Sequence, residues 1–332
     1  MRILFAGSPA IAVPSLRVLS ELEMERRGVV LAGLLTNPDR ARKRGREEAT
    51  DVSKAACEFD TIRKEMGFPP ITQIKFEKLD EEARRQTALL APDLLVSFAY
   101  GRLFGPRFLA LFPLGGINIH PSLLPKYRGA SPIPAAILAQ EKETGICIQK
   151  LAAEMDTGDI LASVSIELSG GETTASLSET VSREAALLLR ELLFSFKSVS
   201  LNASPQKGEA TYCREIKKEE GFIDWSKSAV QIDAQIRAFT PWPLSFTRHG
   251  DRMLLILEVR PLKALPLESP PGKEINREAV PGTVLGIGEN GILIQTGEGL
   301  LVVSKLQWQT KKALDWKSFC NGERDFIGSR MG

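Results

Sequence analysis

The chain has 332 residues, 43% of them hydrophobic and 25% charged, with a net charge of +2. This is the balance of a globular chain long enough for two domains, and it excludes a generally basic nucleic-acid binder, so any basic footprint has to be local. Cys57, Cys147, Cys213 and Cys320 are scattered without a C-x-x-C pair, which argues against a zinc site and for a reducing, cytoplasmic setting. No apolar run approaches the ~20 residues that span a membrane.

Residues 2–7 form a short apolar strand ending in Gly7-Ser8-Pro9, followed by a helical stretch to about residue 26 and a second apolar strand over 29–36. The opening carries one charge and then two prolines, so it reads as a strand and not as a signal peptide. Strand, helix, strand with nearly continuous apolar strands predicts an α/β fold with a Rossmann-like, open, parallel-type sheet. Gly7 stands alone, without the spacing of a dinucleotide fingerprint. Residues 37–46 carry Arg40, Arg42, Lys43, Arg44 and Arg46 against Asp39 alone. Such a run is either a solvated loop or an arm that follows a phosphate backbone. Next come a helix over 51–67, with Asp51 as its cap and Gly67 as its stop, and a short strand over 70–73. A helix over 81–91, a strand over 93–100 and a short helix over 106–112 lead into the central stretch.

Read as a strand, residues 117–120 put Ile117 and Ile119 on one face and Asn118 and His120 on the other. The amide and the imidazole then sit about 7 Å apart along one face. The loop behind them is stiffened by Pro121, Pro125, Pro132 and Pro134, and Ser131-Pro132 opens a helix through 138. A strand over 146–151 leads to the turn Asp156-Thr157-Gly158-Asp159. An Asn and a His aimed at one point can hold a developing oxyanion, and a buried Asp beside the His would keep the imidazole charged or correctly oriented. Asp156-Thr157-Gly158 also matches the aspartic-protease triplet, but a second triplet is absent from the sequence.

An amphipathic helix is expected over 172–197 and a polar linker over 201–209. The linker divides a first domain, 1–204, from a second, 205–332. Short strands at 253–259, 282–287, 291–296 and 300–305, between glycine turns, predict a small, OB-like β-barrel. Before them lie Ile223-Asp224-Trp225, a helix to 236, and Arg237-Ala238-Phe239-Thr240-Pro241-Trp242-Pro243, whose Trp-Pro cluster reads as packing between domains. Gly286-Ile287-Gly288-Glu289-Asn290-Gly291 fits G-x-G-x-x-G but lies between two strands, so it reads as a hairpin turn.

Asn118, His120, Ser122-Leu123-Leu124-Pro125, Arg128-Gly129 and Asp156-Thr157-Gly158-Asp159 resemble the signature of folate-dependent formyltransferases. Ile223-Asp224-Trp225 and Ile236 to Pro243 are similar to the C-terminal domain of the branch that acts on methionyl-tRNA. The resemblance implies an enzyme with 10-formyltetrahydrofolate as co-substrate, initiator methionyl-tRNA as acceptor and no metal. It implies an Asn118–His120–Asp156 triad. The folate would lie against Phe98, Tyr100, Ser122, Leu123, Leu124, Pro125 and Asp159. The acceptor stem would meet Arg40, Arg42, Lys43, Arg44 and Arg46, with Arg44 in the place of the key arginine. Nothing in the sequence calls for a membrane or an obligate protein partner, and a monomer is expected. Other formyltransferases of this fold, acting on an amino-sugar nucleotide or on glycinamide ribonucleotide, would use the same triad without needing the Arg-rich loop. A nonenzymatic RNA-binding protein is the reading from another class; the weak net charge and the stiff Asn–His–Asp stretch oppose it.

Overall fold

A computed structural model describes residues 1–41, 47–194, 202–262, 279–323 and 325–332. The chain forms two compact units. The first comprises Met1–Pro132, Glu143–Glu167 and Leu177–Arg214; the second comprises Ile133–Lys142, Leu168–Ser176 and Glu215–Gly332.

The first unit is built on β1 (Arg2–Gly7), α1 (Val13–Met24), β2 (Val30–Thr36), α2 (Asp51–Glu65), β3 (Gln73–Lys75), α3 (Glu81–Leu89), β4 (Leu94–Phe98), α4 (Pro106–Leu109), β5 (Gly116–His120), β6 (Glu143–Lys150) and β7 (Ile160–Glu167). These strands make one seven-stranded sheet in the order β7-β6-β5-β4-β1-β2-β3. From β3 to β5 the neighbours run parallel, whereas β6 and β7 are added antiparallel. The central parallel strands β1 and β4 are mostly apolar because both sheet faces are covered; Ile3, Leu4, Phe5, Leu95 and Val96 are fully buried. Strand order reverses between β1 and β4, so their carboxyl ends, at Gly7 and Phe98, flank the crevice where open α/β sheets take ligands. His120 ends the next strand over, with Ser97 opposite Asn118 and Phe98 opposite Ile119.

Three local differences from the sequence expectation have simple causes. The cap of α2 is Thr50, whose hydroxyl accepts the Ser53 N–H at 3.2 Å. Asp51 is the first helical residue, where its charge suits the helix dipole, and its carboxylate accepts the Ala10 N–H at 3.1 Å. Strand β7 was not expected, because it is a half-buried edge strand whose alternating positions include small residues, Ala162, Ser163 and Ser165. The segment after residue 201 belongs to the first unit. Ser204 exchanges two backbone hydrogen bonds with Ile160, at 2.8 and 2.9 Å, and Tyr212-Cys213 pair in parallel with Arg128-Gly129.

A short helix, α5 (Pro132–Leu138), lies between β5 and β6, and a long one, α6 (Thr174–Phe194), follows β7; residues 195–197 of the span expected for the long helix lie outside the described residues. The second unit is an antiparallel sheet. It contains α7 (Ala229–Ala238), β8 (Ser245–His249), β9 (Arg252–Leu262), β10 (Val284–Gly288), β11 (Gly291–Gln295) and β12 (Leu300–Trp308), in the order β8-β9-β12-β11-β10. A two-residue strand, Leu314–Asp315, joins β12, and α8 (Trp316–Gly322) follows. Gly288 pairs with Gly291 across a two-residue turn, so the glycine-rich motif is a hairpin. Ile223, Trp225, Ile232, Ile256, Ile294 and Val303 share one core, and the Trp225 indole donates to Thr247 Oγ1 at 2.9 Å. Trp242, by contrast, is exposed.

Candidate active site

Strand β5 sends Ile117 and Ile119 into the core, each worth about 1.5–3 kcal/mol of burial. The same alternation turns Asn118 and His120 to the opposite face. They converge there on one carboxylate. Asp156 Oδ1 accepts from Asn118 Nδ2 at 3.4 Å and from Gln149 Nε2 at 2.8 Å. Asp156 Oδ2 accepts the Gly129 N–H at 2.9 Å and faces His120 Nδ1 at 3.4 Å. The side chains of His120 and Asp156 are only 5% and 9% exposed.

The other imidazole nitrogen, Nε2, lies 2.9 Å from the Tyr127 carbonyl. A carbonyl can only accept, so this partner assigns the proton of neutral His120 to Nε2. Burial pulls the imidazole below its ordinary pKa; the Asp156 charge and the Tyr127 carbonyl oppose that pull without overcoming it. His120 is therefore neutral near pH 7, with the Nδ1 lone pair on the Asp156 side.

The turn that delivers Asp156 is strained and tightly enclosed. Asp156 has φ 55°, as does nearby Tyr127 at 58°, in the left-handed region that costs an ordinary residue about 1–2 kcal/mol. A Cβ at Gly158 would collide with the Lys150 carbonyl, so the turn can close against β6 only with glycine there. Gly129, at φ 113°, is pressed in the same way against the Cys213 carbonyl while its N–H holds Asp156.

The remaining residues expected at the site have mixed placements. Ser122 is fully buried and its hydroxyl donates to the Lys126 carbonyl at 2.6 Å, closing the proline-stiff loop on itself. Leu123 and Leu124 are half-buried, and the Leu124 N–H lies 3.3 Å from Cys147 Sγ. Pro125 is buried and its carbonyl accepts the Thr211 N–H at 3.2 Å. Phe98 and Tyr100 bury their side chains; the Tyr100 ring stacks on Phe104 with centroids 5.3 Å apart, and burial pushes its phenol up to about 12. Asp159 is half-buried, and its carbonyl accepts the Lys150 N–H at 2.9 Å. Arg40 is exposed and sits opposite Glu48; Arg42, Lys43, Arg44 and Arg46 lie outside the described residues.

Sequence reasoning missed Gln149, Gln206 and the backbone groups of Tyr127 and Gly129. Gln149 had a visible signal, a polar residue near the end of the apolar strand Ile146-Cys147-Ile148, and it is 1% exposed. Gln206 had none, being one polar residue in a polar segment. Among the described residues no His, Cys, Asp and Glu side chains cluster as metal ligands, and no helix is long and apolar enough to cross a membrane.

Residues 1–193 match the Formyl transferase family and residues 215–324 match Formyl transferase, C-terminal domain. The methionyl-tRNA formyltransferase of Treponema denticola is 45% identical over 98% of either chain. Among solved structures, the sugar 3N-formyl transferase WlaRD aligns over 94% of this chain and 99% of its own, with a TM-score of 0.61 at 18% identity. The methionyl-tRNA formyltransferase from Clostridium thermocellum covers 78% of this chain and 93% of its own, with a TM-score of 0.51 at 18% identity.

Proposed function

Because the chain belongs to the formyl transferase family, with a methionyl-tRNA formyltransferase as a full-length relative, we propose that it moves a formyl group from 10-formyltetrahydrofolate to the α-amine of methionyl-initiator tRNA. The observation that carries the site assignment is the convergence of Asn118 and His120 on the single carboxylate of Asp156.

The donor set suits attack on a carbonyl. The methionyl nitrogen bonds to the formyl carbon, and the carbonyl oxygen takes up the charge. The Asn118 amide has two hydrogens, and its bond to Asp156 is long, at 3.4 Å, so the amide can serve the oxyanion. Neutral His120 takes the amine proton at Nδ1, as a base whose acidity is tuned by burial must. Asp156, 3.4 Å away, then stabilises the imidazolium. The bond from the formyl carbon to folate N10 breaks, and the proton held by His120 passes to N10. Each turnover thus forms one C–N bond, breaks one and carries one proton across.

Phe98, Tyr100, Ser122, Leu123, Leu124, Pro125 and Asp159 form the folate side of this proposal, with Phe98 and Tyr100 acting through backbone. Arg40, Arg42, Lys43, Arg44 and Arg46 form its tRNA arm, and the second unit assists tRNA binding. The test is a panel of amines offered with 10-formyltetrahydrofolate: methionyl-initiator tRNA, free methionine, an amino-sugar nucleotide and glycinamide ribonucleotide. Transfer to the charged tRNA above all others supports the proposal. Preference for either small nucleotide would move the chain to another branch of the family.

A further inference from the structure

The geometry points to Gln206 as a positioning residue for Asp156, itself aimed by Arg128. This rests on the reading of Asp156 as the carboxylate that serves His120. Gln206 lies outside both family matches, in the segment between them. Its Nε2 donates to the Asp156 carbonyl at 2.8 Å and to the Gly158 carbonyl at 2.8 Å, and lies 3.4 Å from Gln149 Oε1. The amide therefore bridges the strained turn across its two ends and reaches the glutamine that holds the Asp156 carboxylate. Its orientation is set by chemistry as well as by space. Arg128 forks onto Gln206 Oε1 through Nε at 3.1 Å and Nη2 at 2.7 Å. A guanidinium only donates, so the oxygen must face Arg128 and the NH₂ must face the turn.

The Gln206 backbone is anchored on both sides. Before it, Ser204 pairs with Ile160. After it, Thr211 meets the catalytic loop three times: its N–H donates to the Pro125 carbonyl at 3.2 Å, its carbonyl accepts the Arg128 N–H at 2.9 Å, and its hydroxyl accepts the Tyr127 N–H at 2.8 Å. The strap holds the loop that carries the Tyr127 carbonyl and the turn that carries Asp156. Those two elements face the two nitrogens of His120. Asp156, at φ 55°, persists only where its surroundings over-determine it, and the Gln206 amide is one of those determinants.

The test is a double-mutant cycle in the full-length protein. Gln206→Leu keeps the bulk and removes both bonds to the turn; Gln206→Glu keeps a partner for Arg128 but sets a carboxylate against two carbonyls. Turnover with the preferred amine should fall roughly 10–100-fold for each, as a displaced catalytic group costs. Folate affinity should stay within about twofold, since the group acts in the transition state. In an Asp156→Asn background the same changes should cost less than about threefold, because groups acting as one unit are non-additive. NMR titration of the ring supplies a readout that needs no acceptor. His120 should titrate at lower pH in Gln206→Leu than in the wild type, because the carboxylate that favours its charged form has moved. Equal losses in both backgrounds would overturn the proposal, as would unchanged turnover or a His120 titration that stays in place or moves upward. An enzyme that prefers another amine would strike the tRNA reading, and the cycle and titration would still decide the role of Gln206.

Discussion

His120 Nδ1 stands 3.4 Å from Asp156 Oδ2, while its Nε2 is 2.9 Å from the Tyr127 carbonyl. The buried ring is held between two acceptors, and in its neutral form only Nδ1, on the Asp156 side, is without a proton. That arrangement makes the histidine a base whose charged form is tolerated because a carboxylate waits beside it.

A pH dependence follows from the direction of the shift. The His120 imidazole sits below its ordinary pKa because burial outweighs the Asp156 charge. Proton uptake requires the neutral ring, so activity should hold through neutral pH and fall on the acid side of the ordinary histidine range. Asp156→Asn removes a charge that raises the pKa. Its acid limb should move to still lower pH while turnover drops. Rate profiles of both proteins with the same amine check this, and superimposable limbs would mean that Asp156 does not set the state of His120.

The Asp156 turn depends on Gly158. Gly158→Ala drives a Cβ into the Lys150 carbonyl, and the strand or the turn must move. Overpacking of this kind costs about 1–3 kcal/mol. Thermal unfolding should show the loss, and turnover should fall more than folate affinity because Asp156 is displaced with the turn. Wild-type stability and turnover in this variant would contradict the geometry.

The alternation in residues 117–120 was legible because a strand has a period of two and both isoleucines are apolar. The Asp turn was legible from its glycine. What could not be read was the convergence. Gln149 and Gln206 reach Asp156 from 7 and 50 residues away in sequence, and no local pattern encodes such a meeting. The cap at Thr50 was misplaced by one residue because Thr and Asp are both good caps and only backbone geometry separates them. Strand β7 was missed because its small and hydroxyl residues weaken the apolar alternation that marks an edge strand.

The strap changes where the first domain can be cut. A fragment of residues 1–214 keeps Gln206, Thr211 and Cys213, whereas one of 1–204 lacks all three. Both fragments should bind folate if the sheet folds alone, and both should formylate tRNA poorly without residues 215–332, which carry most of the second unit. Only the longer one should keep the wild-type titration of His120. Full tRNA activity in either fragment would show that the second unit is dispensable.

The Arg-rich stretch is tested through salt. Arg44→Ala should weaken tRNA binding by roughly 1–3 kcal/mol and reduce the slope of log affinity against log salt by about one, with folate binding unchanged. Binding measured at several salt concentrations decides it. Unchanged affinity and slope would make the loop a solvated face and remove the main distinction from the branches acting on small nucleotides.

The most direct measurement is formyl transfer to methionyl-initiator tRNA by the wild type and by His120→Ala, with folate affinity determined on the same preparations. The account predicts a turnover loss on the order of 10²–10³-fold, with folate affinity nearly unchanged, because the imidazole acts in the transition state. Turnover in His120→Ala equal to the wild type would contradict it.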